Sequence, residues 1–262
     1  MKRIHLFEFE DMPWFPDWIR VLMTRYIMAF HRILGTAGHL KELTEKGLSY
    51  AEVPVILDLC SGSGGPMIDV VNSLRSSGAF PELTLILSDL YPNRKAADKI
   101  NGQRDTDIKY LTTPMDATQV PTEILGLRTM VSSLHHMKPG VAKDILKNAR
   151  DSGQPILVFE ISDNSPPVVL WWLAIPFAFM ATLFITPMVR PMTWEQLVFT
   201  YLIPILPLFI AWDGAVSNVR TYTLEDMDIL TEELKSEGYS WEKGKIKGKG
   251  GNKLYLMGIP KV

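Results

Sequence analysis

Cysteine is almost missing from this sequence: Cys60 is the single one among 262 residues. That excludes an intramolecular disulfide and any cysteine-rich zinc cluster, no metal site is expected, and the chain is compatible with a reducing compartment. An excess of one charge is missing too. With 27 Lys and Arg against 29 Asp and Glu, the formal charge is −2. No global basic field is available to hold nucleic acid, and none is expected as a partner. There is no internal repeat and no low-complexity tract. The start, MKRIHLFEFEDMPWF, opens basic but is broken by Glu8, Glu10 and Asp11. It therefore lacks an apolar core of signal-peptide length, and a cytoplasmic location is expected.

What is present alternates. Apolar residues at helical spacing from Trp14 to about Lys46 predict two helices ahead of the main sheet. VPVILDLC (53–60) is a β-branched strand running into the turn SGSGGP, and LTLILSDL (83–90) is a second buried strand. Helices over 93–103 and 139–151 separate further strands at 108–111, 129–137 with its exit loop, and 155–162. A helix over 224–237 and two strands around WEKGKIKG and KLYLMGI close the chain. Strands alternating with helices imply an α/β, Rossmann-like, doubly wound and mostly parallel sheet. To it are added a C-terminal antiparallel hairpin, an N-terminal helical lid and a hydrophobic helical insertion. The expected divisions are 1–50 (lid), 51–165 (cofactor-binding core), 166–212 (insertion) and 213–262 (completion of the core).

Ligands of such sheets sit at the carboxyl ends of the strands, where the polar motifs fall. Glycines 62, 64 and 65 let the backbone turn sharply and approach a ligand with no Cβ in the way. The helix that follows presents its positive end. A methionine carboxylate fits there, with Asp58 facing the cationic amino group. The turn equally suits a dinucleotide. Asp89, ending the second strand, can accept from both ribose hydroxyls, and Asp116, after the third, can take an adenine amino group. A dinucleotide pattern begun at Gly62 would want glycine at position 67, where the chain has Met67.

VILDLCSGSGG resembles the first motif of class I S-adenosylmethionine-dependent methyltransferases, with Cys60 standing where that motif has glycine and so requiring a negative φ. SSLHHM resembles the fourth-strand exit of small-molecule methyltransferases, including the ubiquinone and menaquinone type. The similarity covers about Val53 to Ser162 and the final hairpin. It implies S-adenosyl-L-methionine as cofactor, S-adenosyl-L-homocysteine (SAH) as product, and contacts from Asp58, Cys60, Ser61, Gly62, Ser63, Gly64, Gly65, Asp89, Leu90, Asp116, Ala117 and Ser132.

Methyl transfer needs a positioned acceptor and a base where the acceptor carries a proton. His135 and His136 are the candidate bases, because an imidazole titrates near neutrality. Trp14, Glu160, Asp213, Arg220 and Tyr222 are candidate acceptor contacts. The rival readings of the polar cluster at 213–222 and of the N-terminal aromatics are a loop-fixing ion pair and ordinary core. Between Pro166 and Trp212 the charged residues are Arg190 and Glu195 alone. A run of that length reaches across ~30 Å of hydrocarbon, but its prolines favour a shallow dip into one leaflet. An apolar small molecule or lipid acceptor, a membrane surface met through 168–212, and an oligomer formed through the same segment are the expected partners. Lys243, Lys245, Lys247, Lys249 and Lys253 are a solvated hairpin turn or a contact for anionic headgroups. A nicotinamide-dependent oxidoreductase and a catalytically silent membrane scaffold are the alternatives.

Overall fold

The computed structural model describes residues 1–105 and 107–261. Seven strands form one sheet: β1 (Val55–Asp58), β2 (Thr84–Leu87), β3 (Ile108–Tyr110), β4 (Leu127–Val131), β5 (Ile156–Glu160), β6 (Tyr239–Gly248) and β7 (Gly251–Pro260). Their order is β3-β2-β1-β4-β5-β7-β6. The first five strands run parallel, and β7 is antiparallel to β5 and β6. The expected α/β class and closing hairpin are both present. A strand set antiparallel between β5 and β6 departs from the dinucleotide order, in which the sixth strand simply follows the fifth.

Period-two alternation places the core on both faces of the sheet. Leu157 and Phe159 of β5 pack with α2 (Thr36–Leu48), α3 (Met67–Ser76) and α4 (Arg94–Asn101). Ile156 and Val158 pack with α5 (Pro139–Asp151) and α9 (Leu224–Thr231). A third cluster joins α1 (Asp17–Leu34) to α8 (Ile205–Arg220) through Ile19, Leu22, Met23, Tyr26, Leu206 and Ile210. Local chemistry sets the helix starts. Asn93 accepts from Ala96 N at 3.1 Å, and Thr223 forms a capping box with Asp226. Gly35 takes φ 66° and separates α1 from α2.

Three expectations change. The helix expected to reach 237 ends at Thr231, where a 3₁₀ turn (Glu232–Leu234) takes over. The insertion is α6 (Val168–Ile185), a short α7 (Trp194–Leu197) that passes into a π turn (Val198–Leu202), and α8. The second half is therefore bent by 81° rather than one straight helix. α8 also runs through residue 212 without a break, so the insertion and the closing part of the core share a helix.

Candidate active site

The first turn is built to hold an unusual backbone. Cys60, Gly62, Gly64 and Gly65 all have positive φ, at 57°, 55°, 110° and 54°. Cys60 thus adopts the left-handed shape of the glycine it replaces, contrary to the negative φ expected of it, at a cost of ~1–2 kcal/mol. Neighbours hold the turn in place. Ser61 N donates to Ser88 O at 2.9 Å, Gly62 N to the Asp89 carboxylate at 2.9 Å, and Tyr110 Oη to Gly62 O at 2.7 Å. A Cβ on Gly62 or Gly65 would meet no atom within 4 Å, so the turn faces open space. Burial and the charges of Asp89, Asp58 and Asp116 push the Cys60 thiol up to about 12, which keeps it protonated and inert.

That space is a cleft of about 2450 Å³ at the carboxyl ends of the parallel strands. Cys60, Ser61, Gly62, Ser63, Gly65, Asp89, Leu90, Ser132, His135 and His136 line it. Asp89 accepts from Gly62 N and Tyr91 N, each at 2.9 Å, and a carboxylate has capacity left for further donors. Ser132 adopts φ 51°, and the hydroxyls of Ser132 and Ser133 are buried with no hydrogen-bond partner. Buried polar atoms without partners point to a ligand that supplies them.

Asp58 does not face the cleft. It is buried, with Thr129 Oγ1 donating to one oxygen at 2.6 Å and Ser61 Oγ to the other at 2.7 Å. Burial pushes its carboxyl up to about 7, against those two hydrogen bonds. It braces the turn from behind instead of meeting an amino group. Gly64, Asp116 and Ala117 also stand off the wall; Asp116 accepts from Thr118 N and Oγ1 in its own turn. Of the three carboxylates, Asp89 alone reaches the cleft.

The two histidines separate sharply. His135 is buried on the wall; its Nδ1 lies 2.8 Å from Glu160 Oε2, and its N donates to Glu160 Oε1 at 3.1 Å. His136 Nδ1 lies 2.9 Å from Asp11 and 3.4 Å from Glu8, with Glu10 near Nε2 at 3.8 Å. Burial opposes its protonation, yet Glu8, Asp11 and Glu10 raise it to about 10. The three carboxylates around it thus favour the protonated ring, which makes His136 a poorer proton acceptor than His135. Donor atoms of Glu8, His135 and His136 lie within 4.8 Å of one another, and the cations occupying that cluster are the imidazolium and Arg220.

None of the proposed acceptor contacts lies on the cleft wall. Glu160 is buried behind His135. Asp213 accepts from Phe9 N at 2.8 Å and Glu10 N at 3.2 Å, and burial pushes it up to about 8. Arg220 pairs with Glu8 at 3.0 Å and Asp11 at 2.6 Å, and donates to the carbonyls of His135 and His136. Tyr222 is buried and donates to Met137 O at 2.8 Å. Trp14 is exposed and meets Phe9 and Phe15 edge to face, while Trp18 does line the cleft. Three of the five lysines are engaged: Lys243 donates to Leu224 O, Lys245 pairs with Asp163, and buried Lys253 donates to Lys249 O, while Lys247 and Lys249 are exposed. Glu8, Asp11, Tyr110 and Thr129 are the supports that the sequence alone did not reveal.

No protein-family model and no curated protein matches the chain, but solved structures do. An O-methyltransferase family 2 protein from Planctomyces limnophilus in complex with apigenin aligns at 15% identity and TM-score 0.55, over 94% of this chain and 61% of that one. The plantazolicin methyltransferase BpumL, in complex with a substrate analog and SAH, aligns at 9% and 0.52 over 94% and 98%. Magnesium protoporphyrin IX methyltransferase from Synechocystis with bound SAH aligns at 10% and 0.50 over 87% and 83%. Some matched chains are longer: this one spans 56% of LaPhzM, at a TM-score of 0.47. At such identities the likeness shows the fold, and it is the fold of these methyltransferases.

Proposed function

We propose that this protein is an S-adenosylmethionine-dependent methyltransferase acting on an apolar small-molecule or lipid acceptor at the cytoplasmic face of a membrane. One observation carries the reading: the left-handed turn at 60–65, Asp89 and the unpartnered hydroxyls of Ser132 and Ser133 share one cleft with the His135–Glu160 pair. The residues fit the cofactor. Gly62 and Gly65 leave room for its methionine end, the uncapped start of α3 suits its carboxylate, and Asp89 is placed for the ribose. When bound, it supplies a sulfonium methyl group.

The chain supplies orientation and a base. With Nδ1 held by Glu160, the His135 proton sits on Nδ1 and the Nε2 lone pair is free for an acceptor hydroxyl. His135 Nε2 would take the proton of an acceptor hydroxyl held against it as that oxygen is methylated. The membrane part rests on Val168–Met188, whose mean hydropathy is 2.2 and of which 6% is buried. A core helix of that composition would be covered. Leu206 and Ile210 of α8 belong to the core with α1, which supports a shallow dip into one leaflet over a full crossing. Calorimetric titration with SAH tests the enzyme reading: micromolar binding is expected, and no binding by folded protein would end it, leaving the silent scaffold.

A further inference from the structure

The cleft is larger than one nucleoside needs. Ligand pockets run to about 300–1,000 Å³, against about 2450 Å³ here. The excess is bounded by Trp18 and Leu22 of α1 and by Ala174, Ala178 and Ala181 of α6. Residues 174, 178 and 181 share one helix face, and Leu170 and Phe184, at the same helical spacing, carry that apolar stripe onto the exposed surface. Phe177 belongs to both: it lines the cleft and is 75% exposed. The cavity therefore opens onto the exposed apolar surface.

Its inner end is polar. Ser132 and Ser133 hold unpartnered hydroxyls, and His135 is backed by Glu160. The nearby cations His136 and Arg220 are already met by Glu8 and Asp11. We propose that the acceptor is an amphiphile with a hydroxyl-bearing head and an extended hydrocarbon tail, which enters head first from the leaflet beside α6 and leaves its tail along Ala174, Ala178 and Ala181. This rests on the methyltransferase reading above.

The test compares para-cresol with para-dodecylphenol, binding to SAH-loaded full-length protein by equilibrium dialysis. Each methylene that leaves water strengthens binding roughly fourfold, so a partly seated tail gives at least ~10-fold. In Ala178→Trp the indole fills the groove; the gain should vanish while SAH binding is unchanged. Non-specific adsorption to the outer face of α6 would survive that substitution, so it is told apart. Ala174→Phe serves as a second block should the first variant fail to fold. A gain that persists in the folded blocked variant, or no gain in the wild type, overturns the proposal. Loss of SAH binding by the wild type would instead overturn the enzyme reading itself.

Discussion

Of the three strand-end carboxylates Asp58, Asp89 and Asp116, Asp89 is the one that reaches the cleft, so its replacement tests the cofactor assignment most directly. In the folded protein its two oxygens accept from Gly62 N and Tyr91 N at 2.9 Å each, with capacity left for ribose hydroxyls. Asparagine keeps the shape but removes the charge and turns one acceptor into a donor. A hydrogen bond to a charged group contributes about 1.5–3 kcal/mol, so losing one ribose contact weakens SAH binding on the order of 10- to 150-fold. Asp89→Ala removes both contacts and weakens it further. Structural damage stays small, because the Gly62 amide lies at an exposed position and can turn to water. Titration calorimetry of wild type, Asp89→Asn and Asp89→Ala with SAH, beside their unfolding midpoints, separates binding from stability. If Asp89→Ala binds SAH within about threefold of wild type, the carboxylate does not hold a ribose and the cofactor placement is wrong.

Glu160→Gln should leave SAH affinity within about twofold while methyl transfer from labelled cofactor into a lipid extract falls by ~10²–10⁴; unchanged turnover would show that His135 needs no orienting partner. Asp58, pushed from an ordinary 3.8 to about 7, keeps its proton longer folded than unfolded. Its contribution to stability is therefore complete below 3.8 and lost as pH rises through about 7. Asp58→Asn has no proton to lose, so its unfolding midpoint should decline less over that range, and parallel curves for the two proteins would contradict the burial argument. Replacing exposed Leu170, Leu173 and Phe184 together by aspartate should abolish flotation with liposomes, since each such side chain gains about 1.5–3 kcal/mol on leaving water; equal recovery with vesicles would defeat the membrane reading. Point changes are preferable to removing the segment, because α8 contributes Leu206 and Ile210 to the core.

The fold was legible because its signals are local. A β-branched run ending at Asp58, a glycine turn and a helical repeat can each be read within a dozen residues, and the strand order then follows from how crossovers close. The closing hairpin was legible for the same reason. Boundaries went astray where a local signal competed with packing. Thr231 gives way to a 3₁₀ turn whose Leu234 is buried against the sheet. Trp212 looks like the end of an apolar stretch, yet α8 continues to Arg220 because Val216 and Val219 are buried further along it.

Site residues were legible when their role was a backbone shape and less so when it depended on a distant partner. Gly62 and Gly65 do what their spacing implies, whereas Cys60 takes a left-handed turn that residue type argues against, held by Ser88, Asp89 and Tyr110 around it. The paired histidines show the limit clearly. In the sequence His135 and His136 are equivalent neighbours, but the chain turns through a 3₁₀ helix at Leu134–His136 that sends one ring to Glu160 and the other to Glu8 and Asp11. Asp11 lies 125 positions away from His136, and no periodicity connects them. Arg220 completes the arrangement by donating to both histidine carbonyls while pairing with the same two acids. The opening segment is thus clamped beside His135 by charges whose meeting only the fold creates. Removing the charge from His136 should loosen that segment, which faster amide exchange over residues 8–11 would report, and should also disturb His135, whose ring lies 4.3 Å away; unchanged exchange would refute the clamp.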